Sequence, residues 1–367
     1  MNESEALHRA WLKSVRGMTN LRMDILIEKN GSAKAVYERS KGGELVRSNA
    51  LPNALYPELT RSSMAGELDS LHETLDKLNI SVYCPEDTEY PFILKEIFDP
   101  PRVLFVRGNG ALSSLSRSIA IVGSRNCSDY AKRLSKRIAK RLAEAGVTVV
   151  SGMALGVDAA AHEGAISSGE PMATIAVLAS GVDTPSPMEH SRLYSRILEH
   201  GLVISEQPIG RPALAGDFPP RNRIIAGLSS GVLVAEARKK SGTWHTINFA
   251  LDGGRDIFVL PGRVEDPYCE GSNEMLREGA ILAIKAEDIL ERYEGWNTIP
   301  IKSAKDALFS DEEKSVINCL KEADLTADEL FERIGVPMNR LLSLLTKLAL
   351  QGIIERKSCM EYHYINY

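Results

Sequence analysis

The chain has 367 residues, more than one hydrophobic core usually serves, so two or three domains are expected. Apolar residues make up 44% and charged residues 25%, with a net charge of −5, which excludes collagen-like, wholly disordered and disulfide-scaffold classes. No run approaches the roughly 18 apolar residues that span a bilayer, charge runs through the N-terminus (Glu3, Glu5, Arg9, Lys13, Arg16), and the five cysteines (Cys84, Cys127, Cys269, Cys319, Cys359) contain no C-x-x-C pair. The expectation is a protein of a reducing cytoplasmic compartment, with no membrane partner, no secretory signal and no zinc site.

Residues 1–78 read as a module of short helices. Leu7, Trp11, Leu12 and Val15, then Leu21, Ile25 and Leu26, recur at helical spacing, and Gly17 and Asn30-Gly31 punctuate them. Segment 85–110 reads as an extended connector, because Pro85, Pro91, Pro100 and Pro101 forbid a continuous helix. From Ser118 to about residue 290, short β-branched runs alternate with helical stretches. The strands are SIAIVG, VTVVSG, ATIAVLAS, LVISE, GVLVAE and DIFVLPG, nearly all apolar as strands buried on both faces are. Between the first two lies a helix with Leu134, Ile138 and Leu142 on one stripe. This is α/β rhythm, a Rossmann-like doubly wound, mostly parallel sheet, occupying a domain of 85–294 with its connector. Residues 295–307 read as a linker. The rest, 305–367, reads as three helices and a hairpin, a winged-helix domain. Ser310–Glu313 and Thr326–Glu329 fit capping boxes, and Val316, Ile317 and Leu320 form one apolar stripe.

Charge is uneven along the chain. Residues 117–150 hold eight basic and two acidic residues, net +6, whereas 309–367 hold seven and ten, net −3. The sheet domain attracts phosphates; the tail, by its overall field, does not.

Ligands of such sheets bind outside the carboxyl ends of the strands. The first strand ends in Gly123-Ser124-Arg125 and leads to a helix near Ser128, an anion-binding pattern of amides, hydroxyl and guanidinium. The second ends in Ser151-Gly152, after which Gly156 and Asp158 open a helix carrying His162 one turn on. His162 alone reads as a satisfied structural histidine. The fourth ends in Glu206 and is followed by Arg221-Asn222-Arg223 before a helix. The fifth ends in Glu236, and Ser241-Gly242-Thr243 precede the next helix. Convergence of these loops is the signal. No P-loop, nucleophile elbow or paired carboxylates appear, and Glu206 and Glu236 are the only acids at the strand ends.

Through YPFILKEIFDPPRVLFVRGN, IAIVGSRNCSDY…SGMALGVDAAAHEGAI, FPPRNRIIAGLSSGVLVAEARKKSGTWHTINFAL and IFVLPG…EGSNEMLREGA, the chain resembles the DNA-processing protein A (DprA/Smf) family over roughly 90–290. The flanking segments resemble the family's helical (SAM or helix-hairpin-helix-like) module and winged-helix tail. The resemblance implies a cytoplasmic, non-enzymatic, cofactor-free homodimer. Such a protein binds single-stranded DNA and hands it to the RecA recombinase in natural transformation and recombination. It also implies a DNA-binding set of Gly123, Ser124, Arg125, Ser151, Gly152, Arg192, Arg221, Asn222, Arg223, Ser241, Gly242 and Thr243. Two departures stand out: Leu155 occupies a place where the family usually carries Arg, and Ser186 and His190 replace its usual Tyr and Asn.

The alternative is an enzyme of the phosphoribohydrolase kind, built on the lysine-decarboxylase-like variant of this sheet. Its P-G-G-x-G-T-x-x-E loop would fall on KKSGTWHTI, which has no Glu at that place. A transcription factor acting through the winged helix is opposed by the tail's net −3. Aromatic residues are only 6%, so contacts lean on phosphates; Tyr130, Tyr194 and Phe218 are the aromatic candidates, each with a core role as its plainer reading.

Overall fold

The computed structural model describes residues 5–296, 311–350, 354–356 and 361–364. Five helices come first: α1 (Glu5–Ser14), α2 (Asn20–Asn30), α3 (Ala33–Gly42), α4 (Leu55–Met64) and α5 (Glu67–Leu78). Thr19 and Ser32 start α2 and α3 by accepting the backbone N–H of Arg22 and Ala35. Gly43 ends α3 at φ 77°, a left-handed conformation that glycine adopts without strain. The buried face of α2 is Met23 and Leu26, while Leu21 is 69% exposed. The expected stripe began one face off, because α2 starts at Asn20 and its register follows the Thr19 cap.

Then follow β1 (Ile80–Tyr83), the short α6 (Phe92–Lys95) and β2 (Leu104–Gly108). The connector expected over 85–110 therefore contributes a sheet strand. Its prolines stop before Leu104, and β2 pairs antiparallel with both β1 and the sheet.

The remainder of the sheet alternates with helices: β3 (Ser118–Val122), α7 (Asp129–Glu144), β4 (Thr148–Ser151), α8 (Val157–Ile166), β5 (Thr174–Val177), α9 (Ser191–His200) and β6 (Gly201–Ser205). After these come α10 (Phe218–Gly227), β7 (Gly231–Val234), α11 (Thr243–Asp252), β8 (Asp256–Val259), α12 (Glu270–Arg277), β9 (Ile281–Leu282) and α13 (Ala286–Leu290). Strand order is β1-β2-β6-β5-β4-β3-β7-β8-β9, with β6 through β9 mutually parallel. The chain winds one way from β3 to β6, then crosses to the other side of β3 for β7. The switch point lies between β3 and β7, where a crevice opens beyond their carboxyl ends.

Alternate residues of each strand feed opposite layers. Ile119 and Ile121 pack with Ile138 and Leu142 of α7, whereas Ala120 and Val122 pack with Ile224 of α10 and Ile247 of α11. The helices of 1–78 share a core with the sheet, since Trp11, Leu26 and Leu59 belong to one buried cluster with Phe105 and Val203. The change at 78–85 is thus one of secondary structure inside a unit spanning Met1–Thr298; the second unit is Ile299–Tyr367.

In the second unit α14 (Asp311–Glu322), β10 (Leu325–Thr326), α15 (Ala327–Ile334), α16 (Met338–Leu350), β11 (Ile354–Arg356) and β12 (Glu361–Tyr364) form three helices and an antiparallel sheet in the order β10-β12-β11. This is the winged-helix arrangement, with Val316, Leu320, Leu330, Leu341 and Leu345 in its core. Thr326 and Glu329 form a reciprocal capping box. Ser310 and most of the 295–307 linker fall outside the described residues.

Candidate nucleic-acid interface

Three backbone devices bring the loops of the crevice together. Ser124 donates its N–H to the Glu236 carbonyl at 2.9 Å, tying the loop after β3 to the loop after β7. Gly123 permits that approach, for a Cβ there would lie 3.0 Å from the Glu236 carbonyl oxygen and 2.7 Å from Val157 Cγ2. Gly156, at φ 79°, brings the start of α8 against the same loop; a Cβ would meet the Ser124 carbonyl at 2.4 Å.

The crevice holds about 260 Å³. Gly123, Ser124, Arg125, Arg221, Asn222, Ser241, Gly242 and Thr243 line it, with Asp158, Phe218 and His245. Eight of the twelve expected contact residues therefore meet in one place. Arg125 is exposed, with its guanidinium 4.9 Å from the Phe218 ring centroid. Arg221 is buried and approaches the same ring at 5.7 Å. Its Nη1 donates to the Gly152 carbonyl at 2.8 Å and to the Val177 carbonyl, and its Nε donates to Asn222 Oδ1 at 3.2 Å. Burial lowers the Arg221 pKa to about 10, against the pull of the Asp158 charge, so the guanidinium stays cationic at neutral pH. Burial likewise pushes the Asp158 carboxyl up, opposed by Arg221 and by the N–H groups of Ala154 and Gly152.

The helix N-termini at the crevice differ in state. Ser128 caps α7, and the buried Glu236 carboxylate accepts both its N–H, at 3.1 Å, and its hydroxyl, at 2.6 Å. That positive end already holds an anion. α11 begins behind Gly242 with no side-chain cap: the N–H groups of Trp244 and His245 donate to the Ser241 and Gly242 carbonyls, and Gly242 and Thr243 present the positive end of the helix to the crevice.

The other expected residues lie elsewhere. Ser151 is fully buried and donates to the Ile121 carbonyl at 2.7 Å. Gly152 sits behind Arg221, where a Cβ would come within 2.6 Å of the guanidinium. Arg192 is exposed on α9. Arg223 turns away to pair with Glu206 at 2.7 Å and Asp99 at 3.3 Å. The arginines were expected before a helix. They sit inside α10, because Pro219 and Pro220 occupy its first turn, where no N–H is required. Among the aromatic candidates, Phe218 lines the crevice, Tyr194 is buried with its hydroxyl on the Val182 carbonyl, and Tyr130 is 42% exposed. His162 is buried, with Nδ1 2.7 Å from Thr174 Oγ1, the structural role its sequence context predicts. Leu155 is 46% exposed, and His190 Nδ1 lies 2.9 Å from the Met153 carbonyl. Sequence reasoning missed Asp158 as the charge partner of Arg221, although its place in the first turn of α8 was the available signal.

Among the described residues no helix is long and apolar enough to cross a membrane, and no three His, Cys, Asp or Glu side chains are grouped to hold a metal ion.

A doubly wound sheet with a cationic crevice at its switch point, followed by a winged helix, defines the class: a Rossmann-like protein with arginines at the carboxyl edge of its sheet. The comparisons then specify the family. The model for DNA recombination-mediator protein A matches residues 81–294, and that for the DprA winged helix domain matches 302–358. The chain belongs to this DprA/Smf family. It is 39% identical over 283 residues to Protein Smf of Escherichia coli, covering 74% of each chain. It is 36% identical over 249 residues to DNA processing protein DprA of Bacillus subtilis, covering 67% of this chain and 80% of that one. The X-ray structure of DprA from Streptococcus pneumoniae superposes with a TM-score of 0.65 at 31% identity, over 80% of this chain and 99% of that one. A structure of the Helicobacter pylori protein, described as giving insight into its single-stranded DNA binding mode, superposes with a TM-score of 0.53 at 29% identity, over 59% and 98%.

Proposed function

We propose that this protein is a DNA-processing protein that binds single-stranded DNA through its phosphates, with little base preference, in the crevice after β3 and β7. The observation that carries the reading is the meeting of Arg125 and Arg221 at the Phe218 ring beside the N-terminus of α11, which has no side-chain cap. Two cations and a helix dipole favour a phosphate, and the ring offers a base one sequence-tolerant face. The relatives' names support DNA processing, and the Helicobacter pylori neighbour supports the single-stranded form. Family membership extends the proposal to a homodimer that passes the strand to the RecA recombinase.

The proposal includes that the strand is held and not cut. In its support, Glu236 is committed to the start of α7 and Glu206 to Arg223 and Lys13. Neither carboxylate lines the crevice. A gel shift with single- and double-stranded oligonucleotides at two salt concentrations tests the binding half. Tighter single-strand binding that weakens with salt is expected; equal or tighter duplex binding overturns it. Mass spectrometry after incubation with adenosine monophosphate tests the other half. Intact nucleotide is expected, and adenine released in proportion to protein, and lost in Glu236→Gln, overturns it.

A further inference from the structure

A second, larger cleft lies between the N-terminal helices and the sheet. It encloses about 900 Å³, bounded by the turn from α1 to α2, the segment around Phe98 and the loop after β6. Lining cations (Lys13, Arg16, Arg102, Arg211, Arg223) outnumber lining acids (Asp24, Asp99, Glu206) by five to three. Four of the cations are engaged: Arg102 with Asp24 at 2.7 Å, Arg211 with Asp217 at 2.8 Å, Arg223 with Glu206 at 2.7 Å, and Lys13 with Glu206 at 3.7 Å. Arg16 is exposed and makes no ion pair among the described residues.

Two polar atoms beside this cleft have no hydrogen-bond partner among the described residues. One is Arg223 Nη1, a donor on a side chain 8% exposed; the other is Gln207 Oε1, a buried acceptor. Such atoms cost free energy unless a ligand or water meets them. Phe98, also on the lining, is fully exposed.

The two clefts share one wall, the first turns of α10. Pro219 and Arg221 line the first; Pro220 and Arg223 line the second. Residues two apart on a helix lie about 200° around it, so each arginine serves its own side. We infer that a single DNA strand held in the first cleft continues over Pro219 and Pro220 into the second. There a further nucleotide sets its phosphate by Arg16 and its base on Phe98. A net-positive lining suits the phosphate, the open ring suits the base, and the unmet donor and acceptor suit its polar edge. The inference rests on the single-strand reading proposed above.

The test uses the full chain with labelled oligothymidylates of about four and about twelve nucleotides, bracketing the site size of one small single-strand-binding module. Wild-type protein is expected to bind both. Arg16→Ala and Phe98→Ala are expected to bind the short one as wild type does. Each should bind the longer one at least about fivefold more weakly, the lower end of what losing one stacked base costs. Arg16→Ala should also lower the salt slope for the longer oligonucleotide by about 0.7, the value of one phosphate contact on a single strand. Wild-type affinity for the longer strand in both variants overturns the inference. So does equal weakening at both lengths, and so does binding of thymidine monophosphate alone that Phe98→Ala abolishes while the longer strand is unaffected. Failure of wild-type protein to bind either length removes the single-strand reading itself, an outcome distinct from the others.

Discussion

Arg125 and Arg221 share the ring of Phe218 but not its degree of burial, and this decides what each substitution measures. Arg125 is exposed, and its recorded contact is with that ring. Arg125→Ala should leave stability within about 0.5 kcal/mol of wild type, as exposed substitutions usually do. Single-strand affinity should fall several-fold and the salt slope should shrink by about 0.7 for one lost phosphate contact. Anisotropy titrations at several salt concentrations check this, and an unchanged slope and affinity would remove Arg125 from the site. Arg223 behaves differently. It faces the buried Glu206, whose carboxyl burial pushes up but the charges of Lys13 and Arg223 pull further, to below the ordinary glutamate value. Arg223→Ala leaves that carboxylate short of a partner in a desolvated place. The expected cost is about 3–5 kcal/mol of stability, read as a lowered denaturant midpoint. A midpoint unchanged from wild type would mean that Lys13, at 3.7 Å, and the Asn20 side-chain amide, which donates to Glu206 Oε1 at 2.8 Å, satisfy Glu206 without Arg223. The side each arginine takes is not legible from the motif, because the prolines conceal where α10 begins.

At the scale of elements, the six central strands are legible because both their faces are buried, which makes them continuous apolar runs. β1 and β2 are not, since the prolines between them read as a connector, and β9 has only two residues to show. The convergence of the loops after β3 and β7 is legible in outline, from glycines and cations at strand ends. What no pattern reveals is how closely the loops touch. Gly156 makes that contact, with φ 79° and no room for a Cβ against the Ser124 and Arg125 carbonyls. Gly156→Ala combines left-handed strain with a backbone clash, so it should cost more than about 1 kcal/mol and displace the Arg125 loop. Weakened DNA binding together with a lower melting temperature is expected; normal values of both would show that the α8 start can move freely. One layer further in, His162 ties α8 to Thr174 of β5. Burial lowers its pKa to about 3, with His190 and Arg221 adding to the effect. The neutral ring is the folded form, so its contribution is complete above the ordinary histidine value of about 6.5. It is lost as pH falls from there toward 3, at up to about 1.4 kcal/mol per pH unit for one proton. Denaturant melts across that window should show the slope, and His162→Gln should flatten it.

For the whole molecule, the field follows the chain's division into two units. The net +6 of residues 117–150 lies in the first, whereas the last 59 residues carry net −3. Several cations of α7 are balanced locally, Lys136 by Glu163 and Arg141 by Glu287, whereas Arg133 and Arg137 of α7 and Arg125 at the crevice are exposed and make no ion pair among the described residues. The winged helix has its own core and an internal ion pair between Lys347 and Glu313 at 2.7 Å. It has the means to fold alone but lacks the charge that gives non-specific nucleic-acid binding its affinity. A chain ending at Thr298 should therefore keep most of the single-strand affinity and nearly all of its salt slope. The piece from Ile299 onward should bind poorly at any salt concentration. Titrating both pieces beside the full chain decides it. A tail that binds as tightly as the intact protein would move the nucleic-acid contact to the winged helix and revive the transcription-factor reading. A first unit that binds only when the tail is added back would instead make the tail a working part of the site, against the argument from charge.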